Sequence, residues 1–568
     1  MLSWLWRGGA GPAPPPVSPA LREAQDLLSA EIVARLRDRC PLIVDDRALA
    51  AACGFDDARA PALSRCLAAA VRSYGDEPRE QPTRESPSIS NAAVLVAAAH
   101  ASARRAEWAL AVLQGGGTAS GDAGPVAVAL EQLEAVVRDC LRLVDDAKKE
   151  ADNDDDDDDD AASVARAAAR GAAQTGTLGG SEPPSPSSSS SSPPSHVSRA
   201  ALATWIKQGP GVALADFLSS LLQRLALPDD AAPTPLWPYP PPRLLLPRPS
   251  APHPPPLLLS PRAALLLAPH VPDPRRRARW RLVFSAALHG KSWSSLLGRL
   301  AAAGASAAAN VEAHADAAAA SAFAAAAGGA GTSGGGHLRG GDRAARAAAA
   351  AAAAASAPRS AADADDDRSG GDEADAAARW SGPPATLVLA RDAATGAVFG
   401  GAAASPWRRR PHFYGGGAGA GGGPSSSSSS SSCSAFLLAL SPDLRVHPAS
   451  GINDHVQYLG TGFQSLPNGL GMGGQVGAFG FWLDAGMERG HSRPNSTFAC
   501  APLCSGAAQD FNVSDVEVWA MLTPEEDEGP GGAAVGARGG RSVLDAEDDR
   551  NFLAVAGRFA DHSAGVRD

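Results

Sequence analysis

The chain has 568 residues and a formal net charge of −11, with seven scattered cysteines that follow no framework spacing. Alanine, glycine, proline and serine fill long stretches without apolar periodicity; these cannot bury enough side chain to offset the entropy of ordering a backbone, so only about half of the chain is expected to fold. The acidic balance argues against a nucleic-acid partner, which calls for a basic surface, and the cysteine pattern points to reduced thiols in a soluble intracellular protein and not to a disulfide scaffold.

Met1 to Arg7 lacks the leading charge and apolar length of a signal peptide. Leu2 stands where N-myristoylation requires glycine. No apolar run approaches the roughly 18 residues needed to span a bilayer. From about 18 to 149 the pattern is helical. Ser18-Pro19 reads as a cap followed by proline at the first helical position. Leu63, Cys66, Leu67, Ala70 and Val71 recur at helical spacing, as do Leu130, Leu133, Val137, Leu141 and Val144. Residues 150–198 hold the run Asp154 to Asp160 and a Pro/Ser tract, and are expected to form a solvated, disordered linker. A helix pair follows at 199–227, broken at Gly209-Pro210, and then a proline-rich linker at 228–275. Arg275, Arg276, Arg277 and Arg279 read as solvated loop arginines.

From Trp280 the character changes. Trp280 to Ser285 alternates as a strand, and Trp293, Leu296, Leu297 and Leu300 return to helical spacing. Apolar strands follow at Thr386 to Ala390 and Ala435 to Leu440, with a hairpin turn bracketed by Asp392 and Gly396. Residues 301–379 and 415–432 read as low-complexity inserts. Six of the eleven tryptophans lie between Trp280 and Trp519. That concentration of large apolar surface can build a core, at about 25 cal/mol per Å² buried. Strands in succession with Gly-rich turns suggest a sandwich.

These segments, in this order, resemble the TLDc domain family. The resemblance runs from Trp280 through His289-Gly290 and Ser292-Trp293-Ser294. It continues with Val398-Phe399-Gly400-Gly401, Ser405-Pro406-Trp407, Phe479 to Asp484 and Asp515 to Trp519, and so covers about 276–523. It implies an α+β fold: a TLDc-type β-sandwich flanked by helices, preceded by a mainly helical region. It also implies no established catalytic chemistry, a role in oxidative-stress resistance, and binding to the peripheral sector of the vacuolar-type proton pump. Asn468 to Gln475, Gly490 to Arg493 and the tail 542–563 are similar to the family member linked to mTOR at the lysosome. That closer likeness implies contact with mTOR complex components and a cytoplasmic protein peripherally associated with the lysosomal or vacuolar membrane.

Chemical motifs are few. Gly469 to Gly474 matches G-x-G-x-x-G, but turn residues precede it and a strand follows it, the reverse of a dinucleotide site. Its glycines serve either close backbone packing or a flexible loop that meets a partner. Gly331 to Gly335 matches G-x-S-x-G inside a Gly/Ala tract, without a strand-to-helix turn. Cys500 and Cys504 have no second pair at zinc spacing. Glu517 is a lone acid that alternation places on the same strand face as Trp519, a structural hydrogen-bonding partner. In the tail, Phe552, Val555 and Phe559 form an apolar stripe on a helix begun by Asp545. The expected function is thus a non-catalytic adaptor without cofactor or metal. Its partner contacts would come from Gly469, Gly471, Met472, Gly473, Gly474, His491 and Arg493, and from Phe552, Val555 and Phe559 in the tail. The alternative is a redox-protective protein using Cys500, Cys504 or His491.

Overall fold

The computed structural model of the chain describes residues 22, 26–39, 45–74, 91–103, 105–114, 127–144, 154–175, 195–225, 237–247, 256–328, 381–415, 435–504 and 509–528. Two compact units emerge, 1–304 with 370–522, and 305–369 with 523–568.

Among the described residues, the first unit holds the helices α1 (Ala30–Arg39), α2 (Asp46–Cys53), α3 (Pro61–Ser73), α4 (Asn91–Ala103), α5 (Arg105–Leu113) and α6 (Leu130–Arg142). Their ends follow local chemistry. The Asp45 side chain accepts from Ala48 N at the start of α2, and Gly54 closes that helix at φ 90°. Helix α3 has proline in its first turn and no side-chain cap of its own. Its amides are satisfied from α6, where the buried Asp139 carboxylate accepts from Ala62 N at 2.8 Å and Leu63 N at 3.1 Å. The helical spacing of Leu63, Leu67, Ala70 and Val71 becomes one fully buried face.

Helix α7 (Asp154–Thr175) is the main departure from expectation, because it occupies the stretch whose composition reads as a disordered linker. The reason lies in the residues after the aspartates. Alanine has the highest helix propensity, and the helix begins in the acidic run, the end where the macrodipole favours negative charge. Small side chains then let it pack closely: Ala161, Ala165, Ala168, Ala169 and Ala172 are all fully buried. Helices α8 (Arg199–Gln208) and α9 (Gly211–Arg224) follow, with the Ser198 hydroxyl capping α8.

The proline-rich stretch is also more integrated than a linker. Trp237 stacks on Phe217 at 4.5 Å, β3 (Arg243–Leu245) pairs with the main sheet, and helix α10 (Pro261–Leu267) is buried along its length. Its prolines alternate with leucines and aromatics that have a core to enter. The arginines after it are structural as well: Arg276 donates to Met521 O, and Arg277 donates to Val271 O and Pro269 O.

Among the described residues the sheet has eleven strands. In chain order after β3 they are β4 (Arg279–Ser285), β5 (Thr386–Asp392), β6 (Val398–Ala403), β7 (Ala435–Ser441), β8 (Arg445–Pro448), β9 (Gln457–Gly460), β10 (Gly469–Gln475), β11 (Ala478–Asp484), β12 (Arg489–His491) and β13 (Asp510–Leu522). A separate short ladder joins β1 (Val128–Ala129) to β2 (His196–Val197). The long β13 belongs to two layers. Its first residues pair with β12, leading on to β11, β10 and β9. Its remainder lies between β5 and β4, with β6, β7 and β8 beyond β5. The layers face each other: Phe399 of β6 meets Phe511 at 4.7 Å and Phe481 at 6.4 Å. A Cβ on Gly401 would sit 2.6 Å from the Met472 sulfur. The other face of the larger layer is covered by the helical region, and Leu387, Leu389, Phe436, Leu438 and Trp519 share one core with α3 to α10. Strand β5 is therefore buried on both faces, which explains its unbroken apolar run.

Short helix α11 (Ala286–His289) leads to α12 (Trp293–Gly328), which extends to residue 328 through alanines that read as a loop insert. Alanine propensity again decides. In the second unit, Asn310 of this helix donates to Glu526 O, and α13 (Pro524–Asp527) starts with a Thr523–Glu526 capping box. Among the described residues, no helix is long and apolar enough to cross a membrane.

Candidate functional site

The glycine run that reads as a partner-contact loop is strand β10, paired to β9 on one side and β11 on the other. Met472 and Leu470 are fully buried. A Cβ on Gly471 would meet the Phe479 ring at 2.5 Å, and one on Gly473, at φ +69°, the Phe498 ring at 2.7 Å. Gly469 and Gly474 likewise back onto Leu483 O and Ala478 O, each within 2.5 Å of where a Cβ would stand. Gly469, Gly471, Met472 and Gly473 are buried and Gly474 is half-buried, because glycine here makes room for aromatic rings of the neighbouring strand and loop. Phe552, Val555 and Phe559 lie outside the described residues.

His491 and Arg493 do come together, beside β13. Main-chain pairing sets His491 opposite both Trp482 and Asp510. The Arg493 guanidinium pairs with Asp510 at 2.6 Å. His491 Nε2 accepts from Phe479 N at 3.2 Å, which places its proton on Nδ1. Burial, helped by the Arg493 charge, pushes its pKa below the ordinary histidine value, so the ring is neutral at pH 7. An open groove of about 500 Å³ runs here, lined by Trp482, Asp484, Arg489, His491, Asp510 and Asn512 among others. It offers both charge signs on an aromatic floor.

Sequence reasoning missed the ring cluster under this groove. Phe479 stacks on Trp482 at 4.4 Å and meets Tyr458 at 5.3 Å and Phe413 at 5.4 Å. His455 stacks on Phe413 at 4.8 Å. Each ring comes from a different strand or loop, except Phe479 and Trp482, so only the register brings them together. Such pairs add about 0.5–1.5 kcal/mol each beyond area burial.

The thiols are placed for structure. Cys500 and Cys504 are buried thiols outside any disulfide. Burial pushes the Cys500 pKa up to about 11, against the lowering effects of Asn495 and Arg445. A protonated thiol is a poor nucleophile and reductant. Glu517 is bound as its strand position suggests, accepting from Leu258 N at 2.8 Å and Trp519 Nε1 at 2.9 Å. Among the described residues no group of three or more His, Cys, Asp or Glu is arranged to hold a metal.

Residues 424–522 match the TLDc domain. Over 135 residues the chain is 38% identical to the MTOR-associated protein MEAK7 of Homo sapiens, covering 23% of this chain and 28% of that protein. Over 136 residues it is 41% identical to the same-named protein of Xenopus laevis, again 23% and 28%. Over 77 residues it is 36% identical to Oxidation resistance protein 1 of Podospora anserina, covering 14% and 20%. The similarity thus spans under a third of each relative.

Proposed function

With a TLDc domain at residues 424–522, we propose that this chain is a non-catalytic regulatory adaptor whose domain grips the peripheral sector of the vacuolar-type proton pump. It acts in mTOR-linked signalling or oxidation resistance, as a cytoplasmic protein peripherally associated with the lysosomal or vacuolar membrane. The observation that carries the regulatory part is the likeness to proteins named for mTOR association and for oxidation resistance. The geometry supports the adaptor part. The conspicuous polar groups of the domain, Glu517, His491 and Cys500, are engaged in holding strands and loops. The groove over Trp482 and His491 presents a mixed-charge, aromatic surface of the kind that protein partners anchor to. The tail, through Phe552, Val555 and Phe559, supplies a second contact, and two linked contacts raise apparent affinity through effective concentration.

A pull-down of the pump's purified peripheral sector, and separately of mTOR complexes, with the full chain tests this. Retention that falls when Trp482 and Arg489 are replaced by alanine and serine is expected. Absence of either partner from a folded, soluble chain sinks the adaptor reading.

A further inference from the structure

A cavity of about 780 Å³ lies within the first unit, between α8 and the edge strand β8. Its walls are Trp205, Val446, Pro448 and Phe498, and from β8 it takes Arg445 and His447. Neither Asp nor Glu lines it. The volume suits a small organic molecule, since ligand pockets of that kind run from roughly 300 to 1,000 Å³.

Two side chains there are out of balance with their surroundings. Arg445 Nε and His447 Nε2 are buried without a hydrogen-bond partner. Among the described residues, no hydrogen bond or ion pair reaches the Arg445 guanidinium. Its neighbour Asp443 turns to Gln174 instead. Burial holds the Arg445 pKa below its ordinary value, with Asp443 and Cys500 only partly compensating. Arg445 is half-buried, and a polar group withdrawn from water without a partner is destabilising; buried polar groups in folded proteins are otherwise almost always satisfied. Trp205 Nε1, in the facing wall, is likewise unpartnered.

An orphaned guanidinium in a mostly apolar cavity without acids is matched by one chemistry: an anionic head on an apolar body. A guanidinium pairs with a carboxylate through two parallel hydrogen bonds. A phosphate dianion would require more cationic partners than the single arginine lining this cavity. We infer that the cavity between α8 and β8 is a binding site for a small apolar carboxylate, with Arg445 as its anchor, His447 as a second polar contact, and Trp205 and Phe498 as the walls for the apolar body. Because β8 is an edge strand and the residue just before it is tied to α7 through Leu444 N and Ala167 O at 2.8 Å, a ligand seated there bridges the helical region and the sandwich.

The test is calorimetric titration of the full chain with octanoate, with its neutral isostere octanamide, and with inorganic phosphate. Octanoate is expected to bind at least tenfold more tightly than octanamide and to raise the thermal midpoint. Arg445→Met should abolish that preference. Ala200→Phe at the cavity rim, a variant that leaves Arg445 in place, should weaken octanoate at least tenfold, which keeps the test decisive if the arginine variant folds poorly. Equal binding of octanoate and octanamide overturns the inference. So does phosphate binding as tightly as octanoate, octanoate binding unchanged in both variants, or no octanoate binding by the folded chain.

Discussion

Gly171 offers a test of whether α7 docks on the sandwich, because its substitution should act against helix propensity. In an isolated helix, Gly171→Ala stabilises by about 1 kcal/mol. Here an added Cβ would lie 1.9 Å from Leu444 O. Carbon and carbonyl oxygen in contact sit about 3.3–3.6 Å apart, so α7 must retreat by roughly 1.5 Å. That movement strains the Leu444 N–H to Ala167 O bond, now 2.8 Å, and the bond from Gln174 to Asp443. Overpacking costs about 1–3 kcal/mol and a weakened hydrogen bond about 0.5–1.5 kcal/mol. Against the propensity gain, the net is a destabilisation of about 1–3 kcal/mol. Gly298→Ala in α12 is the matched control, since nothing stands within 4 Å of its added Cβ; it should stabilise by up to about 1 kcal/mol. Urea unfolding of both variants reads the two signs. If Gly171→Ala is neutral or stabilising like the control, α7 does not dock as described and the linker reading of 150–198 regains its ground.

The remaining predictions follow from buried groups. Asp139→Ala removes the remote cap of α3 and should cost about 1–2 kcal/mol, with faster hydrogen exchange at the Ala62 and Leu63 amides. Glu517→Ala strands Leu258 N–H and Trp519 Nε1 and should cost about 2–4 kcal/mol. Burial raises the folded-state pKa of Glu517, so the contribution of that side chain is fully present below its unfolded pKa and is lost as pH rises through the folded value. The deficit of Glu517→Ala should therefore shrink from acid toward neutral pH, and unfolding curves that show it growing would refute the assignment. Met472→Ala should lose about 2–5 kcal/mol of stability, and partner retention per folded molecule, measured at a temperature where the variant is folded, should stay unchanged. Cys500→Ser should leave peroxide resistance of cells carrying the chain unaltered, because the buried thiol is protonated at neutral pH; loss of resistance with an intact fold would revive the redox reading.

The periodic parts of this fold were legible because one property decided them. Leu63, Leu67 and Val71 read as one helix face, and Leu387 to Ala390, apolar at every position, as a strand, which the structure covers on both sides. Misreadings arose where two properties compete. In Asp154 to Thr175, charge and low complexity argue for solvation while alanine propensity and small size argue for a packed helix, and the second pair wins because α6 and the β7–β8 turn give the alanines a surface to meet. In Gly469 to Gly474, glycine content argues for a loop. The rings of Phe479, Trp482 and Phe498, which occupy the space beside it, are invisible until the strand register is known. The orphaned Arg445 was illegible for the same reason: no one-dimensional pattern marks a charge whose partner is missing.

The domain match begins at residue 424, yet the structure sets the physical boundary of the sandwich elsewhere. Strand β13 takes its partners from β4 and β5, at residues 279–285 and 386–392, and β7 takes β6, at 398–403. Without those strands, both would present bare edges, which folded sheets avoid. Beyond them, the outer face of the larger layer is apolar at Leu387, Leu389, Phe436 and Leu438, and it shares its core with Leu218, Leu222 and Leu266 of the helices. A sheet with that face uncovered would expose a contiguous apolar patch of the kind that drives association. The helical region is therefore part of the folded domain in the thermodynamic sense. Glu517, reaching from β13 to the Leu258 amide, and Gln174 of α7, donating to Asp443 in the turn before β8, show the two parts joined by polar bonds as well as by packing. Whatever partner engages the groove over Trp482 meets a sandwich whose opposite layer is already closed by its own chain.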